Sequence, residues 1–117
     1  MKTESIKAVS EEEIRLDTNI FSEIDLNLMV TFLVIYEELN VSRTADKLGV
    51  TQPAVSNALV RLRAHFNDVL FERTRGGVKP TPRAEVLCNE LKPAMNSIQL
   101  VLNRDRFIAH QRSEEAT

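Results

Sequence analysis

Apolar residues recur every three or four positions along most of this chain, which is the spacing of amphipathic helices. One supporting helix is predicted from a cap at Asp25 to about Glu38, two shorter helices within residues 41–66, and a long helix within residues 81–106. A short hairpin over residues 70–80 interrupts the helices. The chain is therefore expected to be mostly α.

Residues 41–63, VSRTADKLGVTQPAVSNALVRLR, predict two short helices joined by a tight turn. Gly49 has no Cβ and is expected to end the first helix in a left-handed conformation. Ser42 is expected to cap that helix and Thr51 to cap the second, whose first turn accepts Pro53 without losing a hydrogen bond. This is the layout of a helix-turn-helix, whose second helix enters the DNA major groove.

The second of these helices has an apolar and a polar face. The apolar stripe, which is expected to join the core, is Val55, Ala58, Leu59, Leu62 and Phe66. The opposite face carries Gln52, Pro53, Ser56, Asn57, Val60, Arg61 and Arg63. Gln and Asn can pair with adenine, Arg with guanine, and Ser with bases or phosphates. An ordinary helix with a solvated polar face is the alternative, but the capping, Gly and Ala positions together favour DNA reading.

The sequence LFERTRGGVKP predicts a β-hairpin wing. Its strands are expected at residues 70–73 and 78–80, with the turn at Gly76 and Gly77. The cations placed to contact phosphates or the minor groove are Arg73, Arg75 and Lys79. A plain surface hairpin is the alternative, but it leaves the local excess of arginine unexplained.

Thr81 and Pro82 are expected to open the last helix as its cap and first residue. The apolar positions that follow form a heptad pattern: Ala84, Leu87, Leu91, Ala94, Ile98 and Val101. So narrow a seam needs a partner helix, which predicts a homodimer through these residues. Pro93 lies inside the helix, which is expected to continue with a bend near residues 89–90. The tail, residues 107–117, is expected to be frayed.

Charge is distributed unevenly along the chain, whose net charge is −2. Residues 41–83 carry eight basic and three acidic side chains, whereas residues 1–40 carry three basic and nine acidic ones. Positive charge concentrated in the helix-turn-helix and wing is typical of a nucleic-acid-binding surface. The acidic residues 1–24 are interpreted as a flexible or loosely docked N-terminal arm.

The residue chemistry argues against an enzyme, and neither a cofactor nor a metal is expected. His65 and His110 stand far apart, and neither has an acid or cysteine at catalytic or metal-ligand spacing. Gly76 and Gly77 do not precede the strand-to-helix turn of a phosphate-binding loop. A single cysteine, Cys88, together with the lack of a membrane-length apolar run or a signal peptide, predicts a cytoplasmic protein.

Residues 25–102 resemble the N-terminal DNA-binding domain of LysR-type transcriptional regulators. The strings that carry the resemblance are DLNLMVTFLVIYEELNVSRTADKLGVTQPAVSNALVRLR and LFERTRGGVKPTPRA. The resemblance implies a dimeric transcription factor that binds an A/T-rich, interrupted inverted repeat in double-stranded DNA, and a tetramer in the full-length protein. It also implies that the chain is a fragment, without the family's effector domain and its small-molecule site.

The predicted site has three parts. Major-groove contacts are expected from Thr51, Gln52, Pro53, Ala54, Ser56, Asn57 and Arg61. Contacts with the DNA backbone, including those of the wing, are expected from Ser42, Arg43, Arg63, Arg73, Arg75, Lys79, Thr81 and Arg83. The dimer contact is the heptad seam. Asn57 stands where many family members have Arg, which bears on base preference. The sequence Pro-Arg-Ala at residues 82–84, where many have a Glu-Ala-Gly type sequence, bears on the geometry of the linker helix.

The fold prediction is thus a winged helix-turn-helix over residues 25–80, with a three-helix core and a hairpin wing, followed by a linker helix for dimerisation at residues 81–106. The alternative function is a winged-helix module that binds a protein partner. A protein interface is usually apolar and aromatic at its centre, whereas the polar face of the second short helix has no aromatic residue. The DNA-binding interpretation is therefore preferred.

Overall fold

The computed structural model describes the backbone of residues 15–116 and the side chains of residues 15–106. Predictions about residues 1–14 and about the side chains of the tail lie outside this range. The elements in chain order are α1 Thr18–Glu23, α2 Leu26–Glu38, α3 Val41–Leu48, α4 Gln52–Phe66, β1 Phe71–Thr74, β2 Gly77–Pro80 and α5 Pro82–Ala116. The mostly α prediction, with one hairpin between helices, is confirmed.

Helix α1 lies where the sequence pattern predicts only an arm. Asp17 caps it, because its carboxylate accepts the backbone N–H groups of Asn19 and Ile20 at 3.0 and 3.4 Å. None of its own residues is buried. Ile24, which follows it, is buried in the core. The chain therefore joins the domain at Ile24, and the sequence pattern missed the helix before it.

The core forms where α2 meets α3, α4 and α5. The buried residues of α2 and α4 are Leu28, Met29, Phe32, Ile35, Val55, Leu59 and Leu62. Phe71 of β1 packs against Phe32 with ring centroids 5.5 Å apart, a separation at which tilted aromatic pairs attract each other. Helix α2 thus packs against three neighbours. The apolar stripe predicted for α4 is confirmed, because Val55, Leu59 and Leu62 are buried and Ala58 and Phe66 pack against the core.

The helix-turn-helix formed by α3 and α4 follows the predicted pattern, except for the residue that caps the start of α3. Gly49 ends α3 at φ 67°, and Thr51 caps α4 by accepting the N–H of Ala54 at 3.2 Å. The cap of α3, however, is Asn40, which accepts the N–H of Arg43 at 2.8 Å. The prediction of Ser42 as cap is therefore wrong. A cap needs extended backbone, which Asn40 has at φ −159°, whereas Ser42 already lies inside the helix.

The wing is antiparallel, with Thr74 opposite Gly77 as its last pair. The turn is therefore Arg75–Gly76, one residue earlier than predicted. Gly77 has φ 155°, and a Cβ on it would lie 2.2 Å from the carbonyl oxygen of Leu39. The same oxygen accepts the N–H of Val78 at 3.0 Å. The wing is thus fastened to the turn between α2 and α3, and the close approach there requires a glycine.

Helix α5 runs unbroken for 35 residues, about 52 Å at 1.5 Å per residue. It continues through Pro93, as predicted, and its backbone is helical to Ala116, beyond residue 106, where fraying was expected to begin. Ala84 and Leu87 are buried inside the protomer, and Leu91 packs against the same core. The first half of the predicted dimer seam is therefore occupied within one chain, because α5 lies on α2 before it projects beyond the domain.

Candidate nucleic-acid interface

The first two turns of α4 present a group of exposed side chains. Six of the residues predicted to contact the major groove are exposed here. They are Thr51, Gln52, Pro53, Ala54, Ser56 and Asn57. The amide of Gln52 donates to the hydroxyl oxygen of Ser42 at 3.2 Å. This bond joins α3 to α4 and uses one of the amide's three hydrogen-bonding groups. Ser42, predicted to contact the DNA backbone, thus positions Gln52.

Arg61 lies on the opposite side of α4 from Gln52. Residues of a helix are 100° apart, so Arg61 is rotated by about 180° from Gln52, although it is only about 40° from Asn57. It lines one depression with Phe21 of α1 and another with Glu23. The structure therefore places Arg61 on the flank of α4 that faces α1, and does not bring it together with Gln52.

Arg63 is engaged inside the domain. Its Nε donates to the carbonyl oxygen of Val69 at 2.7 Å, and one terminal nitrogen donates to that of Phe71 at 2.8 Å. The guanidinium thus joins the end of α4 to the start of the wing. Sequence spacing assigned Arg63 to the outer face, but its long side chain reaches carbonyl groups that only the folded chain brings near.

Thr81 is also used inside the domain. Its hydroxyl donates to Asp68 at 2.8 Å and accepts the backbone N–H of Ala84 at 3.1 Å. Thr81 is only 8% exposed, so the predicted contact of this side chain with the DNA backbone gives way to its predicted role as the cap of α5. Asp68 also accepts the N–H of Leu70 at 2.9 Å. One carboxylate therefore links the entry of the wing to the start of α5.

These hydrogen bonds set the protonation of Asp68. The bond from Thr81, followed by that from the Leu70 N–H, lowers the pKa of the carboxyl group. Both stabilise the charged form, and an unfolded aspartate has a pKa of about 3.9. Asp68 therefore contributes stability above about pH 4, and this contribution is lost as the pH falls through the lower folded pKa. Sequence analysis missed this residue, whose only signal was the break in helical pattern after Phe66.

Replacement of Asp68 by asparagine is expected to lower the melting temperature at pH 7 by a few degrees, because the charged acceptor of two bonds is lost. Thermal unfolding by circular dichroism measures this. The difference from the unsubstituted protein should shrink as the pH falls from about 4, where the unfolded aspartate takes up its proton, through the lower pKa of the folded carboxyl group. Asp46→Asn, at an exposed aspartate of α3, is the matched control. A difference that stays constant down to pH 2 would contradict the assignment.

The other cations that the sequence predicted to contact the DNA backbone are exposed. They are Arg43 on α3, Arg73, Arg75 and Lys79 on the wing, and Arg83 on α5. Lys79 lies opposite Glu72, and Arg73 opposite Val78. Since side chains alternate along a strand, Arg73 and Lys79 belong to opposite faces of the hairpin. The wing therefore does not present its three cations on one face.

Two other kinds of site receive no support from the part of the chain that the structure describes. Within residues 15–116, no helix is both long and apolar enough to cross a bilayer. Among the side chains of residues 15–106 there is no cluster of three histidine, cysteine or acidic groups that could ligate a metal ion.

The three helices α2 to α4, followed by a hairpin and a long helix, define a winged helix-turn-helix protein, in which α4 is the second helix of the helix-turn-helix. The family model described as "Bacterial regulatory helix-turn-helix protein, lysR family" matches residues 26–85. The chain belongs to this family. The sequence resemblance to LysR-type regulators is confirmed, and the matched range contains every element from α2 to the first turn of α5.

Individual relatives agree with this assignment. The HTH-type transcriptional activator NagR of a Ralstonia species is 49% identical over 86 residues, which is 73% of this chain and 29% of NagR. The HTH-type transcriptional regulator LeuO of Escherichia coli K12 is 45% identical over 76 residues, 65% of this chain and 24% of LeuO. The chain thus spans less than a third of either relative.

A solved structure shares the fold. It is the BenM DBD in complex with catB site 1 DNA, which has a TM-score of 0.65 to this chain. The match covers 74% of this chain and 97% of that one, at 24% identity. At this identity the likeness concerns the fold, and it extends over nearly the whole of the BenM chain.

Proposed function

We propose that this chain is the DNA-reading part of a LysR-type transcription regulator that acts on the bacterial nucleoid, in the cytoplasm. The observation that carries the proposal is the exposed start of α4, where Gln52 is held by Ser42 beside Ser56 and Asn57. Family membership and the names of NagR and LeuO as transcriptional regulators support it. The BenM structure that shares this fold was solved in complex with DNA.

The proposed contacts divide into those that read bases and those that position the protein. Gln52 and Asn57 carry amides, which pair with the N6 and N7 edge of adenine, and Ser56 can bond to a base or a phosphate. Two amides near each other fit an A/T-rich site. The exposed cations Arg43, Arg75, Lys79 and Arg83 supply phosphate contacts, which give affinity and register without reading sequence.

The reading unit is proposed to be a homodimer on an interrupted inverted repeat. Of the predicted seam, Ala94, Ile98 and Val101 remain exposed, together with Leu100 and Leu102. Ile98 and Leu102 also line a groove with Val30 and Leu33 of α2. A second copy of α5 would cover this apolar surface. Two-fold symmetry would then place two α4 helices on half-sites separated by one or more turns of DNA.

Gln52→Ala is expected to cost about 1–3 kcal/mol on the preferred DNA sequence and to relax the choice of base at one position per half-site. Selection from a random duplex library first gives the preferred sequence. Fluorescence anisotropy titration then compares that sequence with a scrambled duplex at one salt concentration. Asn89→Ala, at an exposed amide side chain of α5 outside the proposed dimer contact, is the matched control. Unchanged specific binding by Gln52→Ala would mean that α4 does not read DNA in this orientation.

A further inference from the structure

We infer that Val60 is an additional base-reading residue, and that its methyl groups contact the C5 methyl of a thymine in the major groove. The inference rests on the proposed function and adds a specific base to it. Val60 is 61% exposed on α4. It stands four residues after Ser56 and three after Asn57, so the three side chains are neighbours on one helix face.

The fold gives Val60 no other role. The core contacts of α4 are made by Val55, Leu59 and Leu62, which are all buried. A β-branched residue lowers helix propensity slightly because its side chain loses freedom at χ1. At an exposed position this loss is not offset by burial in the core. Single exposed apolar residues are common on protein surfaces, so the argument depends on where this one lies.

Its position continues the row of the proposed reading residues. Pro53, Ser56, Asn57 and Val60 follow one another at intervals of three, one and three residues, which keeps them on one face. Val60 lies about 6 Å farther along the helix axis than Ser56. This separation is close to two base-pair steps of about 3.4 Å each. A helix that sets Ser56 and Asn57 against base edges therefore brings Val60 near the next bases.

The chemistry of valine then selects the base. Val60 can neither donate nor accept a hydrogen bond, so it cannot pair with the polar groups of guanine, cytosine or adenine. Thymine alone presents a methyl group in the major groove, and apolar side chains recognise it by contact. Val60 lies about one helical turn after Asn57 on α4. Val60 would therefore favour thymine, whereas the amide of Asn57 prefers adenine. Both preferences are compatible with an A/T-rich half-site.

The test removes the methyl groups on each side of the proposed contact, which are the C5 methyl of thymine and the two γ-methyl groups of Val60. After library selection, each thymine of the preferred duplex is replaced in turn by deoxyuridine, which differs from it only by the C5 methyl. With the unsubstituted protein, one thymine per half-site is expected to lose roughly fourfold in affinity, the effect of exposing one methyl group. Val60→Ala is expected to weaken binding to the thymine duplex by a similar factor, and to show no further loss with deoxyuridine at that position.

The controls separate this inference from the proposed function. Alanine is a better helix former than valine, so the variant should keep its melting temperature. Val69→Ala, at another exposed valine, should respond to deoxyuridine as the unsubstituted protein does. If Val60→Ala lowers affinity for thymine and deoxyuridine duplexes by the same factor, the inference is overturned while DNA reading stands. If the unsubstituted chain selects no sequence at all, both are overturned.

Discussion

Replacement of Gly77 by alanine is expected to detach the wing from the helix-turn-helix and to lower the free energy of unfolding by about 2–4 kcal/mol. A Cβ at this position would lie 2.2 Å from the backbone oxygen of Leu39, and φ is 155°. Relief of the clash requires β2 to move, which breaks the bond from the Val78 N–H to that oxygen. Urea unfolding followed by circular dichroism measures the loss.

Gly76→Ala, at the adjacent residue in the turn of the wing, is the matched control. A Cβ on Gly76 would meet nothing within 4 Å, and its φ lies outside the left-handed region. Its unfolding free energy should therefore change little or rise slightly, since alanine restricts the unfolded chain more than glycine does. Equal destabilisation by the two substitutions would show that the contact with Leu39 does not hold the wing.

Introduction of two charges into the exposed half of α5, as Ile98→Asp with Val101→Asp, is expected to convert a dimer to a monomer. Both side chains are partly exposed in the protomer, and an unpaired charge in an apolar interface is strongly unfavourable. Affinity for the full inverted repeat should fall by about 10²–10⁴, because the second half-site is no longer held at high effective concentration. Analytical ultracentrifugation and DNA titration measure the two effects.

The matched variant places the same two charges elsewhere on α5, as Asn89→Asp with Asn96→Asp, at exposed polar positions. It should stay dimeric and keep most of its affinity. Binding of a single half-site should be similar for both variants, because each keeps α4 intact. A monomeric Ile98→Asp, Val101→Asp protein that still bound the full repeat as tightly as the unsubstituted protein would refute the proposed role of the dimer.

Folding explains why some predicted DNA contacts moved into the domain. Arg63 and Thr81 carry groups that could bind phosphate, and their sequence positions gave no reason to exclude them. The structure assigns their hydrogen bonds to the wing carbonyls and to Asp68. No local sequence signal marks such roles, because they depend on which loop returns beside which helix. The interface proposed here is correspondingly smaller and centred on the start of α4.

The partners of the predicted dimer seam on α5 also depend on the tertiary structure. The heptad spacing correctly predicted a long helix with one apolar side, but spacing cannot tell a partner in the same chain from one in another. The structure divides the seam, with Ala84 and Leu87 in the protomer core and Ile98 and Val101 outside it. The division falls where α5 leaves the domain, which depends on the placement of α2.

By itself the sequence determined the helical face of α4, the caps at Asp25 and Thr51, and the left-handed Gly49, because each depends on residues within a few positions along the chain. Only the tertiary structure decided the role of Gly77, the engagement of Arg63 and the cap-to-carboxylate bond of Thr81. Those features join elements that are distant in sequence, and their partners become definite only when the helices and the hairpin pack together.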